Sequence, residues 1–138
     1  MILVLGVGNE LRGDDAFGPL VIQSLREEIP EGKAMLWFGE SPENFIGSIK
    51  ERPDKLIILD TAQMDREPGT VELVDPAAIV SQPSTHKLPL SLLIDQLRPG
   101  ETIFIAAQPK ETGFNSEPSR EILKAVKKAE KMILSIIQ

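Results

Sequence analysis

Short apolar runs alternate along the chain with segments in which apolar residues recur at helical spacing. Continuous apolar runs such as Leu56-Ile57-Ile58-Leu59 are typical of strands that are buried on both faces. A shorter run near residue 72 indicates an edge strand. The pattern predicts five strands, at residues 2–7, 34–38, 55–60, 70–74 and 102–107.

Helical spacing predicts four helices, at residues 19–26, 42–50, 89–97 and 118–137. Ser41 is placed to be the N-cap of the second helix, and Pro42 suits its first position. One face of the last helix carries Ile122, Leu123, Val126, Ile133 and Ile137.

Strands that alternate with helices imply a mainly parallel, twisted sheet of about five strands with helices on both faces. The 138 residues are few enough for one domain, so we expect a single α/β domain over residues 1–138. In such folds, functional groups collect beyond the carboxyl ends of the strands.

Composition narrows the function classes. The net charge of −6 argues against a nucleic-acid backbone as partner, because phosphate binding requires clustered Lys and Arg. The absence of cysteine excludes disulfides, thiolate metal sites and a cysteine nucleophile. The first apolar run is too short to span a bilayer and has no secretion signal, so we expect a cytoplasmic protein without membrane insertion.

The segment after the first predicted strand contains Gly6 and Gly8, which resemble part of a dinucleotide-binding fingerprint. That fingerprint needs a glycine where Leu11 stands, and it does not place two carboxylates where a pyrophosphate would bind. We therefore interpret the glycines as a tight turn, in which Asn9 serves as a turn residue.

Three aspartates are candidate functional residues. Asp14 and Asp15 precede the first helix, where capping and helix-dipole compensation are the alternative explanation. One aspartate suffices for that purpose, which leaves the other to face the crevice. Asp60 directly follows four apolar residues, at the carboxyl end of a central strand, with an N-cap or turn aspartate as the alternative explanation.

His86 is the only histidine, and it lies in a loop that leads into a predicted helix. A lone histidine is more often structural than a ligand. Together with two carboxylates, however, one imidazole suits a borderline divalent metal such as nickel or zinc. The sequence contains no Gly-x-Ser-x-Gly elbow, His-Glu-x-x-His helix or Gly-Lys-Ser/Thr phosphate loop that would indicate another catalytic site.

An ordered set of short motifs resembles the hydrogenase maturation endopeptidases over nearly the whole chain. The resemblance is to the branch that serves formate-hydrogenlyase-type and related energy-converting NiFe hydrogenases. The motifs are Val7-Gly8-Asn9, Gly13-Asp14-Asp15, Gly18, Ser41-Pro42-Glu43-Asn44, Leu59-Asp60-Thr61-Ala62, Thr85-His86-Lys87-Leu88-Pro89-Leu90, Leu93-Ile94-Asp95-Gln96-Leu97, Gln108-Pro109 and Gly113-Phe114.

This resemblance implies a nickel-dependent peptidase that removes a C-terminal extension from the large-subunit precursor of a NiFe hydrogenase. The metal-contacting and catalytic positions of the family correspond to Asp15, Asp60 and His86. The resemblance also implies that the substrate supplies the nickel, that the free enzyme binds no metal tightly, and that the precursor is its partner. We expect the enzyme itself to be a monomer.

The chain departs from the family pattern after the second predicted strand. An acidic-Gly-Gly turn is usual there, but this sequence has Trp37-Phe38-Gly39, which keeps only one glycine. Main-chain contacts to substrate at this turn therefore cannot be carried over from the family. The chain also ends soon after its last predicted helix, so a C-terminal tail of the family has no counterpart in this sequence.

Two other functions fit parts of the sequence. A non-catalytic, metal-sensing module would dock on the hydrogenase large subunit without shortening it. A peptidyl-tRNA hydrolase would also begin with a Gly-x-Gly-Asn turn, but it requires a basic face that this acidic chain does not offer.

Overall fold

The computed structural model describes residues 1–80, 90–110, 112–114 and 116–138. Its five strands are β1 (Ile2–Val7), β2 (Met35–Gly39), β3 (Lys55–Thr61), β4 (Val71–Val74) and β5 (Glu101–Ala107). Its α-helices are α1 (Phe17–Glu28), α2 (Pro42–Ile46), α3 (Pro76–Val80), α4 (Leu90–Leu97) and α5 (Arg120–Ile137), and a 3₁₀ helix spans Gly13–Ala16.

The strands form one sheet in the order β2-β1-β3-β5-β4. Strands β2, β1, β3 and β5 are parallel, and β4 pairs antiparallel with β5 at the edge. The predicted α/β class and mainly parallel sheet are therefore confirmed, as is the edge position of the fourth strand. Asp60 lies in the centre of this arrangement, in register with Ala106.

Helices cover both faces of the sheet because alternate strand residues point to opposite sides. On one face α1 and α5 pack against side chains such as Val4, Ile57 and Ile105. On the other face Ile46 of α2 and residues of α4 pack against the intervening strand residues.

A close contact between β1 and α1 depends on glycine. A Cβ atom on Gly6 would lie 2.4 Å from the carbonyl oxygen of Gly18 and 2.6 Å from a side-chain carbon of Ile22. Glycine at both positions lets the helix approach the strand, which brings the start of α1 close to the end of β1.

Several element boundaries differ from prediction. The second helix ends at Ile46 rather than at residue 50, and Ser41 makes no side-chain capping bond although it occupies the N-cap position. The last helix begins at Arg120, with Ser119 as its N-cap. Leu123 is 47% exposed, so its predicted place on the buried face is wrong. The sequence pattern did not predict α3 or the 3₁₀ helix.

The fourth helix matches its prediction over Leu90–Leu97, whereas the predicted first residue, Pro89, lies outside the described residues. Within the described part of the chain, no helix combines the length and the apolar character needed to cross a membrane.

Candidate functional site

The carboxyl ends of the parallel strands meet at one edge of the sheet. The turn after β1 leads from Gly8 into the 3₁₀ helix that carries Asp14 and Asp15. Asp60 is the penultimate residue of β3, and Gln108 directly follows β5. The polar residues at the ends of three strands are thus gathered on this edge, as expected for an open α/β sheet.

The turn after β1 folds tightly back on itself. Gly8 has a φ of +151°, and a Cβ atom there would lie 2.0 Å from the carbonyl oxygen of Asp15. The Asn9 side-chain oxygen accepts a hydrogen bond from the Leu11 N–H at 2.8 Å, which is the turn chemistry predicted for Asn9. Gly8 therefore allows the 3₁₀ helix to lie directly against the end of the strand.

Asp15 lies at the edge of the crevice and is only 9% exposed. Its Oδ2 accepts a hydrogen bond from the Asn9 N–H at 2.9 Å, and its Oδ1 accepts one from the Thr61 hydroxyl at 3.4 Å. The carboxylate is thus oriented by the turn after β1 on one side and by β3 on the other.

Asp60 is also 9% exposed, and its Oδ1 accepts a hydrogen bond from the Thr61 N–H at 2.8 Å. Thr61 therefore donates to both carboxylates, one through its main chain and one through its side chain. Thr61 therefore contacts two aspartates that come from separate segments of the chain.

Asp14 has a different environment from its neighbour, because its side chain is fully buried. It accepts hydrogen bonds from the Lys110 N–H at 2.6 Å, the Ser119 N–H at 2.7 Å and the Ser119 hydroxyl at 2.8 Å. The Gly13 N–H donates to the Ser116 carbonyl of the same segment. Asp14 therefore fastens the 3₁₀ helix to the start of α5, whereas Asp15 borders the crevice.

Capping does not explain the aspartate pair in the described geometry, although both residues lie in the first turn of the 3₁₀ helix, where helix-dipole compensation applies. The N-cap positions of the 3₁₀ helix and of α1 are occupied by Arg12 and Ala16, and neither side chain makes a capping bond.

His86 lies outside the described residues, so its place beside the two aspartates stays a prediction. Among the residues that the structure does describe, no group of three or more His, Cys, Asp or Glu side chains is arranged to hold a metal ion. The described part of the site is the pair of carboxylates at Thr61.

A groove of about 440 Å³ lies at the ends of β1 and β2, and neither Asp15 nor Asp60 lines it. Two carboxylate side chains and two large apolar ones line it together with the turn. Its lining residues are Gly8, Asn9, Glu10, Leu11, Phe38, Gly39 and Glu40. Gly39, the single glycine that remains of the family's acidic-Gly-Gly turn, is the last residue of β2, and its carbonyl accepts a hydrogen bond from the Gly8 N–H at 2.9 Å.

The family model described as HycI, hydrogenase maturation protease, matches residues 20–136. The chain belongs to this family. The hydrogenase 3 maturation protease of Escherichia coli K12 is 37% identical over 129 residues, which cover 90% of this chain and 83% of the relative.

Solved structures of the family share the fold. The NiFe hydrogenase maturation protease HycI from Thermococcus kodakarensis superimposes with a TM-score of 0.86 at 33% identity, covering 99% of this chain and 91% of that one. The solution structure of the endopeptidase HycI from Escherichia coli gives a TM-score of 0.83 at 36% identity, covering 95% and 87% of the two chains. The protein is therefore a hydrogenase maturation endopeptidase of the HycI type.

Gln108 belongs to the Gln108-Pro109 motif of the family resemblance, but it was not predicted to be a site residue. Gln108 is 3% exposed, and its side chain donates to the Gln63 side-chain oxygen at 2.7 Å. Its own oxygen accepts a hydrogen bond from the Met64 N–H at 2.7 Å. Gln108 therefore fixes the loop that follows Asp60. It directly follows an apolar strand, which is the same signal that pointed to Asp60.

Proposed function

We propose that this endopeptidase removes the C-terminal extension of a nickel-loaded NiFe hydrogenase large-subunit precursor, and that Asp15, Asp60 and His86 recognise the nickel that the substrate carries. The observation that supports this proposal most directly is that Thr61 contacts the carboxylates of both Asp15 and Asp60. Two carboxylates from different segments converge on the edge of the sheet where α/β enzymes bind their ligands.

The donor set fits a borderline divalent metal. Carboxylate oxygens and one imidazole nitrogen are acceptable ligands for nickel, and a site of three protein ligands leaves positions for groups of the substrate. A nickel ion bound in the precursor would supply Lewis acidity beside the peptide bond that is cut.

The chain's own residues prepare the site for such a substrate. The Asn9 N–H and the Thr61 hydroxyl hold the two oxygens of Asp15, and the Thr61 N–H holds one oxygen of Asp60. These contacts hold two negative groups at the same edge of the sheet, which would favour a substrate that carries a metal cation.

The relatives support the choice of substrate class. The Escherichia coli relative is a hydrogenase 3 maturation protease, and the Thermococcus kodakarensis structure is a NiFe hydrogenase maturation protease. Transfer of that substrate class to this chain is part of the proposal, as are its cytoplasmic location and its monomeric state. Gel filtration of the purified enzyme without precursor tests whether the enzyme is a monomer.

The experiment is a comparison of two precursors. The purified enzyme is incubated with large-subunit precursor isolated with nickel, and in parallel with the same precursor from nickel-depleted cells. Intact mass spectrometry should show loss of one C-terminal peptide from the nickel-loaded precursor only. Equal shortening of both precursors would contradict nickel recognition. Binding without any shortening would instead support a non-catalytic docking module.

A further inference from the structure

Thr61 contacts the carboxylates of both Asp15 and Asp60, the two described residues of the proposed site. It is the last residue of β3 and is partly buried. Its N–H donates to Oδ1 of Asp60 at 2.8 Å, and its hydroxyl donates to Oδ1 of Asp15 at 3.4 Å.

The two contacts differ in what they require from the side chain. The contact to Asp60 uses the main chain, so most side chains at position 61 would preserve it. The contact to Asp15 needs a hydroxyl group, and it joins β3 to a carboxylate 46 residues away in sequence. Because threonine is β-branched, its χ1 angle is restricted, and the backbone of β3 helps to set the direction of the hydroxyl.

The Thr61 hydroxyl and the Asn9 N–H contact different oxygens of the Asp15 carboxylate. The Asn9 N–H holds Oδ2 at 2.9 Å, so each carboxylate oxygen has a donor from a different segment. Donors on both oxygens restrict rotation of the carboxylate about its side-chain bonds. A ligand that is oriented before substrate arrives loses less conformational entropy on binding.

We propose that Thr61 is a positioning residue that fixes the carboxylate of Asp15 relative to that of Asp60, and thereby strengthens selection of the nickel-loaded precursor. This inference rests on the proposed function, because it assumes that the two aspartates contact the substrate's metal. Thr61 itself acts only through Asp15 and Asp60.

A matched pair of variants isolates the hydroxyl. Thr61→Val keeps the shape and β-branching of the side chain but removes the donor, whereas Thr61→Ser keeps the donor. We expect Thr61→Val to lower kcat/KM for nickel-loaded precursor about three- to fivefold, in the lower part of the range for one lost hydrogen bond because the 3.4 Å contact is long. Thr61→Ser should stay within about twofold of the wild type, because the hydroxyl is retained.

Binding to the nickel-free precursor is the second readout. A positioning role predicts that Thr61→Val leaves this affinity and the thermal midpoint unchanged, so that only discrimination between the two precursors decreases. The inference would be overturned if Thr61→Val lost affinity equally for both precursors. It would also be overturned if the valine and serine variants lowered kcat/KM equally. Wild-type kinetics of the valine variant would also overturn it.

Asp15→Asn in the same assay separates this inference from the proposed function. If Asp15→Asn is inactive and Thr61→Val is normal, only the role of Thr61 fails. If Asp15→Asn cleaves the nickel-loaded precursor normally, the proposed recognition of nickel by Asp15 fails as well.

Discussion

At the scale of single residues, the neighbours Asp14 and Asp15 have different environments. Asp14 is fully buried and accepts three hydrogen bonds from the segment that leads into α5. Asp15 borders the crevice and contacts Thr61 of the central strand β3. A change at the first position should therefore affect folding, and a change at the second should affect activity.

Asp14→Asn tests the first of these expectations. Both oxygens of Asp14 accept hydrogen bonds from N–H or O–H donors, so an asparagine must turn its NH₂ group toward at least one donor. We expect the free energy of unfolding to fall by about 2–3 kcal/mol. Urea denaturation followed by circular dichroism measures this change.

The matched control is Asp95→Asn, which makes the same chemical change on the exposed surface of α4. It should alter stability by no more than about 0.5 kcal/mol. An unfolding midpoint of Asp14→Asn equal to that of the wild type would contradict the anchoring role of Asp14.

At the scale of elements, the position of the site depends on how closely α1 approaches β1. Gly6→Ala should lower the free energy of unfolding by about 1–3 kcal/mol, because its Cβ would lie 2.4 Å from the Gly18 carbonyl oxygen. Gly47→Ala is the control, since no atom lies within 4 Å of the added Cβ. Equal stability of the two alanine variants in urea denaturation would show that the tight contact is not needed.

The start of α5 gives a second test at this scale. The Ser119 side chain accepts a hydrogen bond from the Ile122 N–H and donates one to Asp14. Ser119→Ala loses both contacts and should cost about 1–2 kcal/mol in the free energy of unfolding. Ser135→Ala, at an exposed position of the same helix, should change it by no more than about 0.5 kcal/mol. The prediction fails if thermal and urea unfolding cannot distinguish the two variants.

The elements also show which parts of the fold a sequence can predict. Each strand boundary lies within one residue of its prediction, because continuous apolar runs mark buried strands clearly. α3 has only five residues, which is too short for a helical period to be recognised. Asp75 and Pro76 at its start were nevertheless a usable signal, since the Asp75 side chain accepts a hydrogen bond from the Ala77 N–H.

The sequence did not predict every buried helix position or every side-chain contact of the site. Leu123 follows the buried Ile122 directly and therefore points about 100° away from it around the helix, toward solvent. The positions of Asp15 and Asp60 could be predicted from strand ends. The contact of Thr61 with Asp15 could not, because it depends on how two segments that are distant in sequence approach each other in space.

At the scale of the whole molecule, the sheet order determines where the described site lies. β1 and β3 are adjacent and parallel in the centre of the sheet, so the turn after β1 and the end of β3 reach the same edge. Helices on both faces bury the sheet and leave this edge as the place where polar side chains collect. The net charge of −6 permits a cationic partner but does not identify one.

The most direct test of the account is cleavage of nickel-loaded large-subunit precursor by Asp15→Asn, Asp60→Asn and His86→Ala, with Asp95→Asn as the control. We predict that each of the first three variants folds with a circular dichroism spectrum like that of the wild type but releases no C-terminal peptide in intact mass spectrometry. The control should release it at the wild-type rate. Normal release by any one of the three variants would contradict the assignment of that residue to the nickel-recognising site.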